Sequence, residues 1–430
     1  MASSDKKTDT QGNQRGLGQN VVTLGAESQG SSEHIAIVGT LVDTMLGFRG
    51  ELIRDMVAAG HQVYAFATDY CPETEQAIRD MGAHPVHYRM SQLGTNPVSD
   101  LMAVWHLRKL FVRHRISLSY CYFSKPAIYG TLAARMAGVP RRIAKIEGLG
   151  RIFTVSPRGD RLRKRLIRRV MAGLFRFSLP MAHKLYVLNE GDKEDLQSFG
   201  VIRPEPEVLG GIGVCLERYY FCPPVTETIR FIFVARLLHE KGVRYFVDAA
   251  KALGKRYPQA EFILLGAPDA KPGAVDKAEL KELVSEGVVR YPGAVKDVTP
   301  WLAASSVFVL PSYYREGVPR STQEALAMGR PVITTDVPGC RRTVKDGVNG
   351  FLVPPHDQEA LEEAMLKFLR EPELVRSMGL ASFNFAQDHF DVRKINRRIL
   401  RDIGIAIREA GVEHSEPEPV NGRLQADSWR

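Results

Sequence analysis

Residues 306–334 read as strand, loop, helix and strand in immediate succession. The β-branched and apolar run 306–310 is stopped by Pro311, and Gly317 and Pro319 punctuate a loop. Residues 321–328 have helical character closed by Gly329, and 331–334 form a second apolar run at once. Two strands joined through a helix lie parallel in one sheet, so the chain is an α/β protein before any other segment is read.

The same alternation fills the N-terminal half. Strands are expected at 34–39, 62–67, and near 84–88, 117–122, 141–146 and 183–188. Helices are expected at 48–59 and near 97–114, 125–138, 160–178 and 190–199. Repeated alternation predicts a doubly wound sheet, and 430 residues suffice for two such domains.

Open parallel sheets bind ligands beyond the carboxyl ends of their strands. Glu316 falls in such a loop, and Glu324, with seven residues between them, lies in the helix that follows. Gly317, Val318, Pro319, Arg320 and Ser321 are expected to form the first helical turn, whose backbone N–H groups and positive dipole end suit a phosphate. Carboxylates repel phosphate, so two of them flanking it make sense if they grip neutral hydroxyls on either side. A nucleotide sugar has that layout. Two solvated glutamates in an ordinary loop are the plainer alternative, since this spacing arises by chance about once or twice in such a chain.

A second candidate clamp is Arg236-Leu-Leu-His-Glu-Lys-Gly242, which follows a strand at 229–235. Arg236 and Lys241 straddle a strand-to-helix turn and can hold a diphosphate, the first by a forked contact and the second as a point charge. Residues 39–50 read as a loop able to approach a phosphate, with Gly47 and Arg49 as candidates, but no Gly-x-Gly-x-x-Gly is present there.

No apolar run approaches the eighteen or so residues of a membrane span, and residues 1–33 lack the features of a signal peptide. A cytoplasmic location is expected. Five cysteines without metal spacing are expected to be reduced and buried. The net charge of +9 is local: residues 141–169 hold eleven Lys or Arg against Glu147 and Asp160, an excess as large as that of the whole chain. Much of it lies at Arg161, Arg163, Lys164, Arg165, Arg168 and Arg169, around an apolar stripe of Leu162, Leu166, Val170 and Leu174 widened by Ile167 and Met171. Such a helix either packs its stripe on the sheet and shows its arginines to water, or lies on an anionic membrane.

The motifs Arg315-Glu-Gly-Val-Pro-Arg-Ser321, Glu324-Ala-Leu-Ala-Met-Gly-Arg-Pro-Val-Ile333, Asp336-Val-Pro-Gly-Cys340 and Gly347-Val-Asn-Gly-Phe-Leu-Val-Pro354 closely resemble the donor-domain signature of the retaining GT-B-fold glycosyltransferases, glycosyl transferases group 1. Ile146-Glu-Gly-Leu-Gly-Arg-Ile-Phe-Thr154 resembles the acceptor-side loop of members that extend undecaprenyl-diphosphate-linked sugars, which favours the membrane reading of the basic helix.

The resemblance implies two Rossmann-like doubly wound domains facing a central cleft. It places an acceptor domain at 34–212, a donor domain at 213–385 and a helix at 386–411 returning to the first, with disordered tails at 1–33 and 412–430. It implies transfer of a hexose or N-acetylhexosamine from a UDP-sugar, with retention, and no cofactor or metal; an Asp-x-Asp pair is absent. Arg236 and Lys241 would bind the diphosphate, Glu316 the sugar hydroxyls and Glu324 the ribose. Gly47, Gly266 and Val295 would complete the donor site, and Glu147, Gly148, Gly150 and Arg49 the acceptor side. Cys215, in Gly211-Ile-Gly-Val-Cys215, stands where the family usually has aspartate, and Glu147 where many members have histidine. A soluble acceptor, a nucleotide-sugar epimerase and a basic nucleic-acid-binding protein are the rival readings; no recognised nucleic-acid module is present.

Overall fold

The computed structural model describes residues 32–91, 97–154, 159, 162–268 and 273–406. Every pairing between its strands is parallel. Strands β1 (His34–Val38), β2 (Gln62–Ala67), β3 (His84–His87), β4 (Leu118–Tyr122), β5 (Arg141–Lys145), β6 (Lys184–Val187) and β7 (Pro206–Val208) form one sheet in the order β3-β2-β1-β4-β5-β6-β7. Strands β8 (Arg230–Val234), β9 (Glu261–Leu265), β10 (Val289–Gly293), β11 (Val307–Leu310), β12 (Val332–Thr335) and β13 (Gly350–Val353) form the other, in the order β10-β9-β8-β11-β12-β13.

Helices cover both faces of each sheet, so the central strands are apolar without alternation. Leu118–Tyr122 and Val307–Leu310 are buried at every position. In the N-terminal half the helices are α1 (Val42–Ala58), α2 (Pro72–Asp80), α3 (Pro97–Arg113), α4 (Thr131–Met136), α5 (Leu162–Ser178) and α6 (Glu190–Ser198). The C-terminal half has α7 (Val243–Arg256), α8 (Lys277–Val284), α9 (Thr299–Ala303), α10 (Arg320–Ala327), α11 (Pro338–Arg341), α12 (Gln358–Arg370), α13 (Glu373–His389) and α14 (Val392–Asp402). Ile35 and Ile37 pack with Met45, Ile53 and Met56 of α1 on one face of the first sheet. Ala36 and Val38 pack with Val104, Leu107 and Phe111 of α3 on the other, where α4 and α5 also lie.

Strand order reverses beside β1 in the first sheet and beside β8 in the second. Such a reversal opens a crevice at the carboxyl ends of the strands. The loops after the neighbouring strands β8 and β11 therefore share one crevice, and they carry Arg236, Lys241 and Glu316.

Three expectations need correction. The segment 39–50 is mostly helix rather than loop: α1 starts at Val42, whose N–H donates to Asp69 Oδ1 at 2.8 Å. Burial of Met45, Arg49, Leu52, Ile53 and Met56 at helical spacing carries the helix straight through Gly47. The helix expected at 125–138 opens with a π-helical turn, Pro126–Gly130, before α4. The returning helix expected at 386–411 is not one piece: α13 ends at His389 and the chain breaks at Phe390, where Val214 N–H donates to the Phe390 carbonyl at 2.8 Å and Asp391 caps α14. Helix α14 then packs on α1, Asn396 donating to Asp55 at 2.8 Å.

Of the expected N-terminal tail only Ser32 and Glu33 are described, and Glu33 is engaged: it accepts from Ser117 Oγ at 3.0 Å and pairs with Arg141. The tail at 412–430 lies outside the described residues. The cysteines are all unpaired; Cys121 and Cys340 are buried as expected, whereas Cys71 is exposed and Cys215 and Cys222 are partly so.

Candidate active site

Gly242 brings the first two catalytic candidates together. It holds φ at +82°, and a Cβ there would lie 2.8 Å from Pro311 Cγ, at the end of β11. Only glycine lets the turn His239–Lys241 lie so close to that strand end. Lys241 Nζ then donates to Glu316 Oε1, which also accepts from Ser312 Oγ at 3.0 Å. Both charged side chains are nearly buried, and Lys241 Nζ lies 5.4 Å from the ring centroid of Tyr314. Arg236 is exposed at the start of the same loop. The Tyr314 hydroxyl is pushed above its ordinary range by burial and by Glu316, with Arg236 opposing.

Helix α10 starts at Arg320 rather than Gly317, because Pro319 serves as its N-cap residue without a side-chain cap. Gly317 and Val318 thus approach the helix as loop, and Pro319 contributes no N–H. Arg320 occupies the positive end of the helix dipole, a position that favours an anion instead. It is held there by Glu324, whose Oε1 accepts from Arg320 Nε at 3.0 Å, and by Phe48 of α1, whose ring centroid lies 5.1 Å from the guanidinium carbon. Glu324 also lies against Tyr219, whose hydroxyl is pushed up by burial first and by Glu324 second. Ser321 is half-buried in the first turn. Gly266, at the end of β9, has φ +143°, where a Cβ would strike the Ala235 carbonyl. Val295, after β10, is half-buried against the core. Arg236, Gly266, Val295 and the α10 start thus share one sheet edge. Gly47 sits within α1, exposed, with no atom within 4 Å of the Cβ it lacks.

The acceptor-side candidates divide. Glu147 is buried and does not face an open surface: its carboxylate pairs with Arg49 and lies 3.2 Å from Lys145 Nζ. Arg49 is not at the helix start but buried within α1, its guanidinium carbon 4.6 Å from the Tyr122 ring centroid. Burial lowers the basicity of Arg49 and of Lys145, and each cation lowers it further in its neighbourhood: Arg320 acts on Arg49, and Arg49 on Lys145. Two cations and one carboxylate therefore lie under the glycine-rich loop. Lys145 was not foreseen; its signal is a lysine ending the buried half of β5, just before the glycine-rich loop.

Gly148 and Gly150 both have positive φ, +94° and +72°. Gly148 packs on the backbone of Glu316 and Gly317, and Gly150 N–H donates to the Arg315 carbonyl at 3.1 Å. Three further residues tie the sheets together here. Asn189 initiates α6 by accepting from Asp192 N–H at 2.8 Å, and its Nδ2 also donates to the Gly317 carbonyl at 2.6 Å. Arg315 reaches Asp195 and the Gly191 carbonyl. Arg151 Nε donates to Glu240 at 2.7 Å.

Helix α5 is apolar on two sides. Met171, Leu174 and Phe175 pack inward, while Leu162, Leu166 and Val170 are 77%, 62% and 53% exposed, with Phe177 beyond them. Arg163, Arg165 and Arg169 are exposed beside that outer stripe. Lys164 and Arg168 turn instead to the carbonyls of Thr154 and Ile152, so they belong to the acceptor-side loop rather than to the outer patch. Arg161 lies outside the described residues. Among the described residues no group of three or more His, Cys, Asp or Glu is placed to hold a metal ion, and no helix is long and apolar enough to cross a membrane.

Two facing parallel sheets, with a lysine, a glutamate and a helix N-terminus gathered at the switch point of the second, define a glycosyltransferase of the GT-B fold. The chain matches the family described as Glycosyl transferase 4-like domain over residues 48–210 and that described as Glycosyl transferases group 1 over residues 228–371, and it belongs to this glycosyltransferase family. It is 28% identical over 371 residues to the N,N'-diacetylbacillosaminyl-diphospho-undecaprenol alpha-1,3-N-acetylgalactosaminyltransferase of Campylobacter jejuni, covering 82% of this chain and 94% of that one. It is 26% identical to the UDP-Gal:alpha-D-GlcNAc-diphosphoundecaprenol alpha-1,3-galactosyltransferase of Escherichia coli, over 63% of this chain and 70% of that one. Among solved structures, Thermosynechococcus elongatus sucrose-phosphate synthase aligns over 86% of this chain and 98% of its own at TM-score 0.70 and 20% identity. Anabaena HepE, solved in complex with UDP, aligns over 87% and 99% at TM-score 0.66 and 18% identity. These two likenesses concern the fold.

Proposed function

We propose that this protein transfers a hexose or N-acetylhexosamine from a UDP-sugar to a saccharide carried on undecaprenyl diphosphate, with retention and without a metal ion. On this reading it works as a peripheral protein on the inner face of the cytoplasmic membrane. The convergence of Lys241 and Ser312 on Glu316, beside the uncapped start of α10, carries the proposal. The relatives support the acceptor class, since both of the most similar ones described above act on diphospho-undecaprenol saccharides according to their names. Both names also specify an α-1,3 linkage, the outcome that retention yields from an α-linked nucleotide sugar.

In this mechanism the acceptor hydroxyl attacks the anomeric carbon on the face from which UDP departs. The new glycosidic C–O bond forms as the sugar–phosphate bond breaks, and the leaving phosphate takes the hydroxyl proton. Charge grows on that diphosphate in the transition state, so donors already aimed at it lower the barrier. Arg236, Lys241 and the amides of Gly317, Val318, Arg320 and Ser321 supply them. Lys241 has three N–H donors and can keep Glu316 while offering another to phosphate. Glu316 is left to hold donor-sugar hydroxyls, and Glu324, shared with Arg320, to meet the ribose. Gly47, Gly266 and Val295 flank the nucleotide, and Gly148 and Gly150 shape the acceptor entrance above the buried Arg49–Glu147–Lys145 group. The exposed stripe and arginines of α5 suit an anionic membrane surface.

UDP release from a panel of UDP-sugars tests this, with and without an undecaprenyl-diphosphate-linked monosaccharide in anionic liposomes and with Glu316→Ala as control. Release that needs the lipid-linked acceptor and vanishes in the variant is expected. Release with water-soluble acceptors alone would remove the membrane claim, and formation of a new sugar nucleotide without any acceptor would make the protein an epimerase.

A further inference from the structure

Tyr314 stands in the loop after β11, between Ser312 and Glu316, and none of the roles assigned above draws on its side chain. Its backbone is fixed by those two neighbours: Tyr314 N–H donates to Ser312 Oγ at 3.3 Å, and Glu316 N–H donates to the Tyr314 carbonyl at 2.7 Å. Ser312 Oγ also bonds Glu316 Oε1, so Tyr314 and the glutamate are held in one turn. The two ends of the tyrosine side chain meet different partners.

The ring meets Lys241, whose Nζ lies 5.4 Å from its centroid, close enough for a cation–π attraction. Glu316 binds the same ammonium, but the two contacts differ in what they leave behind. A carboxylate cancels the charge of the lysine, whereas a ring face attracts that charge without cancelling it. A lysine fixed by one glutamate and one ring thus keeps more pull on a phosphate than one fixed by two carboxylates. Its long side chain is also restricted before the diphosphate arrives, which is the condition for charge stabilisation without reorganisation.

The hydroxyl meets the acceptor-side loop. A Cβ on Gly150 would lie 3.0 Å from the Tyr314 oxygen. Burial first, then Glu316, push this hydroxyl up, while Arg236 and a hydrogen bond from the Arg151 backbone hold it down, so all three residues lie around it. The same loop reaches the residue before Lys241, since Arg151 Nε donates to Glu240 at 2.7 Å. It also reaches the residue after Tyr314: Arg315 N–H donates to Thr154 Oγ1 at 2.9 Å, and the Arg315 carbonyl accepts from Gly150 N–H at 3.1 Å. Tyr314 is therefore enclosed by contacts that join the first sheet's loop to the second sheet's site.

We propose that Tyr314 is a positioning residue for the transfer: its ring holds the Lys241 ammonium for the donor diphosphate, and its hydroxyl seats the acceptor-side loop against that same lysine. The donor side and the acceptor side of the reaction then meet through one side chain. The inference rests on the donor role given to Lys241 above and adds the group through which the acceptor-side loop reaches it.

Two variants separate the two ends. Tyr314→Phe keeps the ring and removes the hydroxyl; UDP affinity measured by calorimetry should stay within about twofold of wild type, while the KM for an undecaprenyl-diphosphate-linked monosaccharide rises about fivefold. Tyr314→Leu removes the ring as well, and UDP affinity should fall about tenfold. A general loosening of the loop would add this loss to that of Lys241→Ala. Positioning through the lysine predicts otherwise: Tyr314→Leu should leave UDP affinity unchanged once Lys241 is alanine. Thermal unfolding without UDP reports that each variant is folded. Wild-type UDP affinity in Tyr314→Leu, or losses that add in the double variant, would overturn the role of the ring. An unchanged acceptor KM in Tyr314→Phe would overturn that of the hydroxyl. Undiminished UDP affinity in Lys241→Ala would instead refute the donor role of the lysine, and the inference with it.

Discussion

Gly148 and Gly317 lie back to back: a Cβ on Gly148 would come within 2.9 Å of the Glu316 carbonyl carbon, and one on Gly317 within 2.7 Å of the Glu147 carbonyl carbon. The first sheet's glycine-rich loop is thereby seated directly on the loop that carries Glu316.

Gly148→Ala is expected to force this contact apart, since the backbone on both sides has nowhere to move and φ is +94°. A misplacement of about 1 Å at a reacting centre costs roughly a hundredfold, and kcat/KM should fall by that order. Gly47→Ala makes the opposite case. Its Cβ meets nothing and its backbone is helical, so the variant should be more stable by about 0.5–1 kcal/mol, read by denaturant unfolding. A rise in donor KM beside that gain would place Gly47 against the diphosphate, and an unchanged KM would remove it from the donor site.

Glu316→Gln and Lys241→Ala should each lower kcat by about 10²–10³-fold. The two side chains touch, so their effects are expected to be non-additive in the double variant. Their roles separate in UDP binding measured by calorimetry. Lys241→Ala should weaken it, whereas Glu316→Gln should not, because the carboxylate is assigned to the sugar. Equal weakening in both would return Glu316 to a purely structural partner of Lys241.

Asp192 offers a test by pH. Burial pushes its carboxyl up to about 7, against the opposing pull of Arg315 and of Asn189. Below the unfolded value of 3.8 it is protonated in both states and contributes nothing. As pH rises from there to about 7, the unfolded state loses its proton first, so folded stability falls and then levels off. Asp192→Asn should therefore raise Tm at pH 8 and leave it unchanged near pH 4. Three pK units set an upper bound of about 4 kcal/mol on the gain. An equal change at both pH values would show that the carboxyl titrates normally.

The outer stripe of α5 predicts a loss confined to membranes. Leu166→Asp lies on an exposed position and should alter stability by no more than about 0.5 kcal/mol. Removing a leucine from the bilayer boundary should cost about 1.5 kcal/mol or more, hence roughly tenfold or more in vesicle affinity. Phe175→Ser, on the inner side of the same helix, should instead unfold the N-terminal half. Unchanged vesicle binding in Leu166→Asp would take α5 out of the membrane contact.

The doubly wound architecture was legible in the alternation of apolar runs with helical segments, because parallel strands covered on both faces have almost no other composition. Glu316, Lys241 and Arg236 were legible for the same reason: they sit just after strands β8 and β11, where chain order alone places a ligand-binding loop. The sequence by itself thus determined the sheets and the residues standing at their carboxyl ends. Punctuation misleads at residues 39–50, where Gly39, Gly47 and Gly50 suggest a loop although the apolar period continues through Gly47. Only the tertiary structure decided that Glu147 is neutralised by Arg49 and Lys145, that Asn189 reaches across to Gly317, and that the cations of α5 divide between an inner and an outer side. The Arg49–Glu147 and Asn189–Gly317 contacts join residues about a hundred or more positions apart, and the others depend on which way a strand end or a helix is turned. Local pattern carries no information about either, because such pairings are set by how whole sheets pack.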